Sequence, residues 1–201
     1  MEKNYDPSQL TRMSRYLCLL LRHRPDQAGI TLDKHGWTDV DMLIRQVCAC
    51  GKHLDREMLD YIVAHDEKGR YSYTDDGKQI RANQGHTLSY VDVCPTRAEP
   101  PAVLYHGTVA RVYDCSIRHQ GLSKMKRNYV HLSSTEEVAE QVSLRRRKTG
   151  ALLVVDSGRM AADGYSFYLS SNRVWMTDHV PPQYLSLLRI LPYEKEKPKQ
   201  D

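Results

Sequence analysis

The sequence predicts an α+β chain of two lobes, and three observations carry that reading. Apolar residues recur at helical spacing as far as His65, then alternate over two short segments joined by a turn. A proline-rich stretch, CPTRAEPP (Cys94 to Pro101), interrupts all periodicity. Beyond it, β-branched apolar runs of strand length alternate with helical segments, as expected of a mixed α/β lobe. The expected boundaries are a first lobe over 1–93, a linker over 94–101, a second lobe over 102–192 and a disordered tail over 193–201, which includes KEKPKQD.

The elements follow in order. Leu10, Met13, Leu17, Leu20 and Leu21 make one helical stripe, with Asp6 and Pro7 at its start and Pro25 as its stop. Asp33 to Gly36 reads as a turn and Trp37 as a short extended piece. A helix from about Val40 to Cys50 ends at Gly51, and another from about Asp55 to His65 buries Met58, Leu59, Ile62 and Val63. The strands RYSY and QIRA join through Thr74-Asp75-Asp76-Gly77, a hairpin signal. Helices followed by such a hairpin predict a winged-helix module. In the second lobe VLYH is a strand, about Ala110 to Gln120 a helix, and YVHLS a strand. Ser133 or Ser134 opens a helix, with Glu136 or Glu137 three residues on. ALLVVD, VWMT and SLLRI are the later strands.

Composition narrows the function classes. The chain has 201 residues and a net charge of +4, which permits a polyanionic partner without requiring one. The longest apolar run, around Leu19 to Leu21, is far too short to span a bilayer, and the N-terminus has no signal-peptide core, so a cytoplasmic protein is expected. Five cysteines (Cys18, Cys48, Cys50, Cys94, Cys115) have no framework spacing and read as reduced thiols. Cys48 and Cys50 with His53 lack a second ligand pair at zinc spacing, so no metal is expected. Neither a Rossmann fingerprint nor a P-loop is present. No heptad suggests more than a monomer.

Four basic clusters stand out: LRHRP (Leu21 to Pro25), EKGRYSY (Glu67 to Tyr73), RANQGHT (Arg81 to Thr87) and KRNYVHLS (Lys126 to Ser133). Guanidinium groups bind phosphate bidentately and stay charged, so several converging on one point would hold a phosphoryl group. Each alone reads better as a solvated basic surface, since surface arginines are common in a chain with 29 Lys and Arg. YHGT (Tyr105 to Thr108) ends a predicted strand, where an imidazole, a glycine permitting close approach and a hydroxyl could meet a ribose and a carboxamide.

In this order and spacing, LRHRPDQAGITLDKHGW, EKGRYSYTDDGKQIRANQGHT, LYHGT and KRNYVHLS resemble the RNA 2′-phosphotransferase family, NAD-dependent enzymes associated with tRNA splicing. The similarity runs from about Ser14 to about Pro192. It implies a winged-helix RNA lobe followed by a lobe of the ADP-ribosyltransferase type. It also implies a catalytic Arg-His-Arg-Arg tetrad at Arg22, His23, Arg70 and Arg127, with Arg24 a solvent-facing neighbour. Arg81, His86 and Thr87 match an RNA- or phosphate-binding segment in which this chain carries Thr where the family has Ser. His106, Gly107 and Thr108, with His131 and Ser133, match the NAD pocket.

The activity implied is transfer of an internal RNA 2′-phosphate, in tRNA among other RNAs, to NAD, which is consumed as a co-substrate. Nicotinamide, ADP-ribose 1″,2″-cyclic phosphate and RNA with a free 2′-hydroxyl are the products. Two other readings use parts of the same pattern: ADP-ribosylation of terminal nucleic-acid phosphates or protein side chains, and RNA binding by a non-catalytic winged helix. An intact tetrad is needed only for the second step of phosphate transfer. Nicotinamide release separates the catalytic readings from the binding one.

Overall fold

The protein is seen here as a computed structural model that describes residues 5–93 and 95–193. Cys94, the expected start of the linker, and residues 194–201 of the expected tail lie outside the described residues. The chain forms two compact units: one takes Met1–Cys94 together with Lys126–Asn128, the other Pro95–Met125 and Tyr129–Asp201. Both hold helices and strands, and among the described residues every strand pairing is antiparallel.

The first unit begins with α1 (Pro7–Arg22), capped by Asp6, whose carboxylate accepts from the Ser8 N–H at 3.1 Å. Its buried stripe is Met13, Leu17, Leu20 and Leu21, the helical spacing read from sequence. After a 3₁₀ turn at Pro25–Ala28 come β1 (Thr38–Asp39), α2 (Val40–Ala49) and α3 (Arg56–Ala64). Asp39 and Asp55 cap the two helices, accepting from Met42 and Met58 N–H at 2.7 Å each, bonds worth about 1 kcal/mol apiece in such positions. The hairpin strands β2 (Tyr71–Tyr73) and β3 (Gln79–Ala82) complete a three-stranded sheet of order β1-β3-β2. The core joins Leu17, Leu20 and Leu21 of α1 to Leu43, Leu59 and Ile80. Tyr71 is buried with its hydroxyl donating to the Ser14 carbonyl, and the Tyr73 hydroxyl donates to Asp60. Both hairpin tyrosines therefore serve packing.

The second unit contains β4 (Thr96–Arg97), inside the stretch expected as linker, and β5 (Leu104–Val109). The single helix expected near Ala110 to Gln120 is broken: α4 (Ala110–Val112) and α5 (Arg118–Gln120) flank a π-helical turn at Tyr113–Ile117. Then follow β6 (Leu122–Ser123), β7 (Val130–Leu132), α6 (Glu136–Leu144), β8 (Gly150–Val155) and α7 (Ser157–Ala162). The last strands are β9 (Phe167–Leu169), β10 (Trp175–Thr177), β11 (His179–Val180) and β12 (Leu185–Leu191). They form sheets of order β4-β9-β10-β7 and β12-β8-β5, and a β11-β6 pair.

The cap of α6 corrects the expectation from sequence. Thr135, not Ser133 or Ser134, accepts from the Val138 N–H. Ser133 is instead tied to Tyr105 by a reciprocal backbone pair, Tyr105 N–H to Ser133 O at 2.9 Å and Ser133 N–H to Tyr105 O at 2.8 Å. Three consecutive hydroxyl residues could each have opened the helix; this tertiary bond keeps the first in extended backbone. The strands β4 and β9, the β11-β6 pair and α7 are too short to carry a periodicity, which is why the sequence did not announce them.

Candidate active site

In the first unit the end of α1 sets the site. Leu20 and Leu21 are completely buried, so the helix cannot rotate, and Arg22 and His23 emerge where it stops. The orphan carbonyls of that last turn are then taken by a segment far away in sequence. The Thr87 N–H donates to Arg22 O at 3.0 Å, and His86 hydrogen-bonds the Leu21 carbonyl. His86 Nε2 is buried without a hydrogen-bond partner, so the ring donates through Nδ1. Gly85, at φ +88°, makes the turn before them; a Cβ there would stand 3.5 Å from Arg22 Nη1. The side chain of His23 meets Thr87 as well, Nδ1 to Oγ1 at 3.0 Å.

The charges of this cluster have one sign. Arg22 buries Nε and Nη2 with no acceptor and no carboxylate partner among the described residues. Burial, then the charges of Arg22, His23 and Arg81, push His86 down to about 4. Burial, Arg22 and Arg127 hold His23 below the ordinary histidine range. Arg127 is exposed and belongs, with Lys126 and Asn128, to the first unit, where the Asn128 amide donates to Val91 O at 2.6 Å. The buried Arg22 donors, set beside other cationic and imidazole groups, make a positive local potential that favours an anion.

Arg70 is differently held. Its backbone N–H and Nη1 both bond to Asp66, whose side chain is almost wholly buried. Asn83 fixes the backbone on either side, its N–H donating to Arg70 O and its amide to Gly69 O, each at 2.8 Å. Arg81 lies over the Trp37 ring at 4.5 Å, a cation–π contact. Arg24, by contrast, is exposed and paired with Asp26 at 3.0 Å, the solvent-facing neighbour expected of it. Asp66 and Asn83 were not singled out in the sequence, although the four-residue spacing of Asp66 and Arg70 was a legible signal.

In the second unit β5 and β7 bring the other named residues together. His106 Nδ1–H donates to the His131 carbonyl at 3.1 Å, so a neutral His106 carries its acceptor on Nε2. The Tyr105–Ser133 backbone pair sets Ser133 beside the same strand. Along β5 side chains alternate, so His106 and Thr108 share a face and Gly107 takes the other. The close approach that Gly107 permits is used by α6: a Cβ would come within 1.8 Å of the Ala139 carbonyl oxygen. The glycine thus seats a helix on the side where a side chain would stand.

Among the described residues no three His, Cys, Asp or Glu side chains group as a metal site, and no helix is long and apolar enough to cross a membrane.

The first unit thus carries a basic cluster at the end of α1, and the second, taken by itself, a polar pair of neighbouring strands. The family model described as "RNA 2'-phosphotransferase, Tpt1 / KptA family" matches residues 8–179, and the chain belongs to that family. It is 48% identical over 178 residues to a "Probable RNA 2'-phosphotransferase" of Rhodopirellula baltica, covering 89% of this chain and 96% of that protein. Proteins of the same description from Flavobacterium johnsoniae and Streptomyces griseus are 46% and 44% identical, over 86% and 90% of this chain and 93% and 98% of theirs.

Proposed function

We propose that the protein removes an internal RNA 2′-phosphate by transferring it to NAD, a co-substrate that it consumes, with tRNA among its substrates. In this reading the first unit is a winged-helix RNA lobe and the second an ADP-ribosyltransferase-type lobe. The protein works as a cytoplasmic monomer. The observation that carries the reading is the buried Arg22 guanidinium, with two N–H positions lacking an acceptor beside His23 and His86.

The 2′-phosphate is already an anion at neutral pH, so its oxygen attacks the anomeric carbon of the nicotinamide ribose without a general base. The C–N bond breaks, nicotinamide leaves with the electron pair, and RNA is joined through its phosphate to ADP-ribose. Arg22 and His23 hold the phosphate for this step. The ribose 2″-hydroxyl then attacks phosphorus, its proton is lost, and the RNA 2′-oxygen leaves and is protonated. Charge develops on the phosphoryl oxygens here, where Arg70 and Arg127 act; Asp66 keeps the Arg70 fork oriented. Arg81, His86 and Thr87 complete the RNA-phosphate side.

His106, Thr108, His131 and Ser133 offer the hydrogen-bonding groups that a ribose and a carboxamide need, and these fit NAD. The acceptor on His106 Nε2, set by its bond to His131 O, is the specific support.

The test mixes protein, NAD and a short RNA with one internal 2′-phosphate and resolves the products. Dephosphorylated RNA with ADP-ribose cyclic phosphate is expected, and Arg70→Ala or Arg127→Ala accumulates RNA-2′-phospho-ADP-ribose. Absence of nicotinamide release overturns the catalytic reading. Reaction only at terminal phosphates replaces it with an ADP-ribosyltransferase.

A further inference from the structure

His23 Nδ1 and the Thr87 hydroxyl, 64 positions apart in the chain, lie 3.0 Å from each other. We propose that Thr87 is a positioning residue for His23: its hydroxyl donates to Nδ1, so the ring proton sits on Nε2 and is offered as an N–H donor to the substrate phosphate. The identity of the anion rests on the phosphotransferase reading; the proton placement rests on the geometry of these two residues.

A neutral imidazole has one N–H, and the partner of one nitrogen decides which nitrogen carries it. A hydroxyl can donate or accept, so the distance alone leaves two directions open. The surroundings select one. Thr87 is fixed by its backbone N–H to Arg22 O at 3.0 Å, and among the described residues its hydroxyl is paired with His23 Nδ1. Nδ1 is thereby occupied, and Nε2 is the nitrogen left for a ligand.

Four neighbours bear on the charge of the ring: Arg22 on the same helix, His86 and Thr87 on the segment that caps it, and Arg127. Burial and the two arginines keep His23 neutral. The opposite tautomer would turn a lone pair towards the anion that the arginines attract, an electrostatic penalty with no compensation. When phosphate binds, its charge offsets the arginines and the ring can take a second proton. The hydroxyl then rotates and accepts from Nδ1–H. One side chain thus serves both protonation states, which neither alanine nor valine can do. Thr87, expected from sequence to bind RNA or phosphate, has its oxygen engaged by the histidine as well.

The measurement is a long-range ¹H–¹⁵N correlation spectrum of histidine-labelled protein without substrate, at a pH above the His23 titration. His23→Gln identifies the signals. Wild type and Thr87→Ser are expected to give a pyrrole-type Nε2 and a pyridine-type Nδ1, and Thr87→Val to lose that bias. With 2′-phosphorylated RNA, kcat/KM should fall about tenfold in Thr87→Val, the scale of one lost hydrogen bond to a positioned group, and Thr87→Ser should restore it. An Nδ1–H tautomer in wild type, or an unchanged tautomer in Thr87→Val, overturns the proposal. Thr87→Ala gives the same test where the valine methyl is not accommodated. The spectrum needs no substrate. Inactivity towards the RNA would therefore overturn the phosphotransferase reading and leave the tautomer result standing.

Discussion

A Cβ on Gly107 would stand 1.8 Å from the carbonyl oxygen of Ala139, closer than any side-chain carbon can approach backbone. Gly107→Ala must therefore push α6 away from β5. The expected cost is about 1–3 kcal/mol, the range for overpacking a well-filled interior, read as a lowered thermal midpoint. Because His106 and Thr108 flank the position on the same strand, NAD binding by titration calorimetry should weaken as well.

Arg22 buries two N–H positions that nothing accepts, an arrangement that costs stability in the absence of a ligand. Arg22→Met keeps the length and removes the unsatisfied donors. It should raise stability by about 1 kcal/mol while abolishing phosphate transfer. Differential scanning calorimetry should find a midpoint about 2–4 °C higher for a chain of this size. Arg24→Ala, at the exposed neighbour paired with Asp26, should leave both midpoint and turnover unchanged.

His86 is held near 4, against an ordinary value of 6.5. Below 6.5 the unfolded chain binds a proton that the folded chain refuses, so stability falls as pH drops through that window and levels off below about 4. The loss is on the order of 3 kcal/mol across the window. Urea unfolding of wild type and His86→Gln at several pH values should give a smaller decline in the variant. Equal slopes would mean that other groups set the acid sensitivity.

Asp66 is nearly buried and its carboxylate takes both the Arg70 side chain and its backbone N–H. Asp66→Ala removes an oriented partner without touching any substrate group. The Arg70 left behind is partly exposed, so the loss is that of two charge-assisted hydrogen bonds, about 1–3 kcal/mol, and the thermal midpoint should fall. At a temperature where the variant remains folded, RNA-2′-phospho-ADP-ribose should accumulate, as in Arg70→Ala. Product ratios unchanged from wild type would separate Asp66 from the action of Arg70.

Much of the first unit was legible because its signals are local. The stripe of Leu17, Leu20 and Leu21, the helix starts at Asp6 and Asp55, and the turn before Gly77 each involve residues within a few positions of one another. The apolar run of β8 was equally plain, since five of its six residues are buried. The basic strings around Arg22, Arg70, Arg81 and Arg127 could also be picked out, together with the family they resemble.

By itself, then, the sequence determined where helices start and stop, where apolar faces lie and which residue types are available for phosphate chemistry. Only the tertiary structure decided that Thr87 would sit on the end of α1, that Gly107 would serve a helix, that Ser133 would be held in extended backbone by Tyr105, and that Arg127 would join the first unit. The physical reason is range. Periodicity and capping are set by neighbours along the chain, whereas a buried donor's partner and a histidine's charge depend on groups brought close in space from anywhere along it.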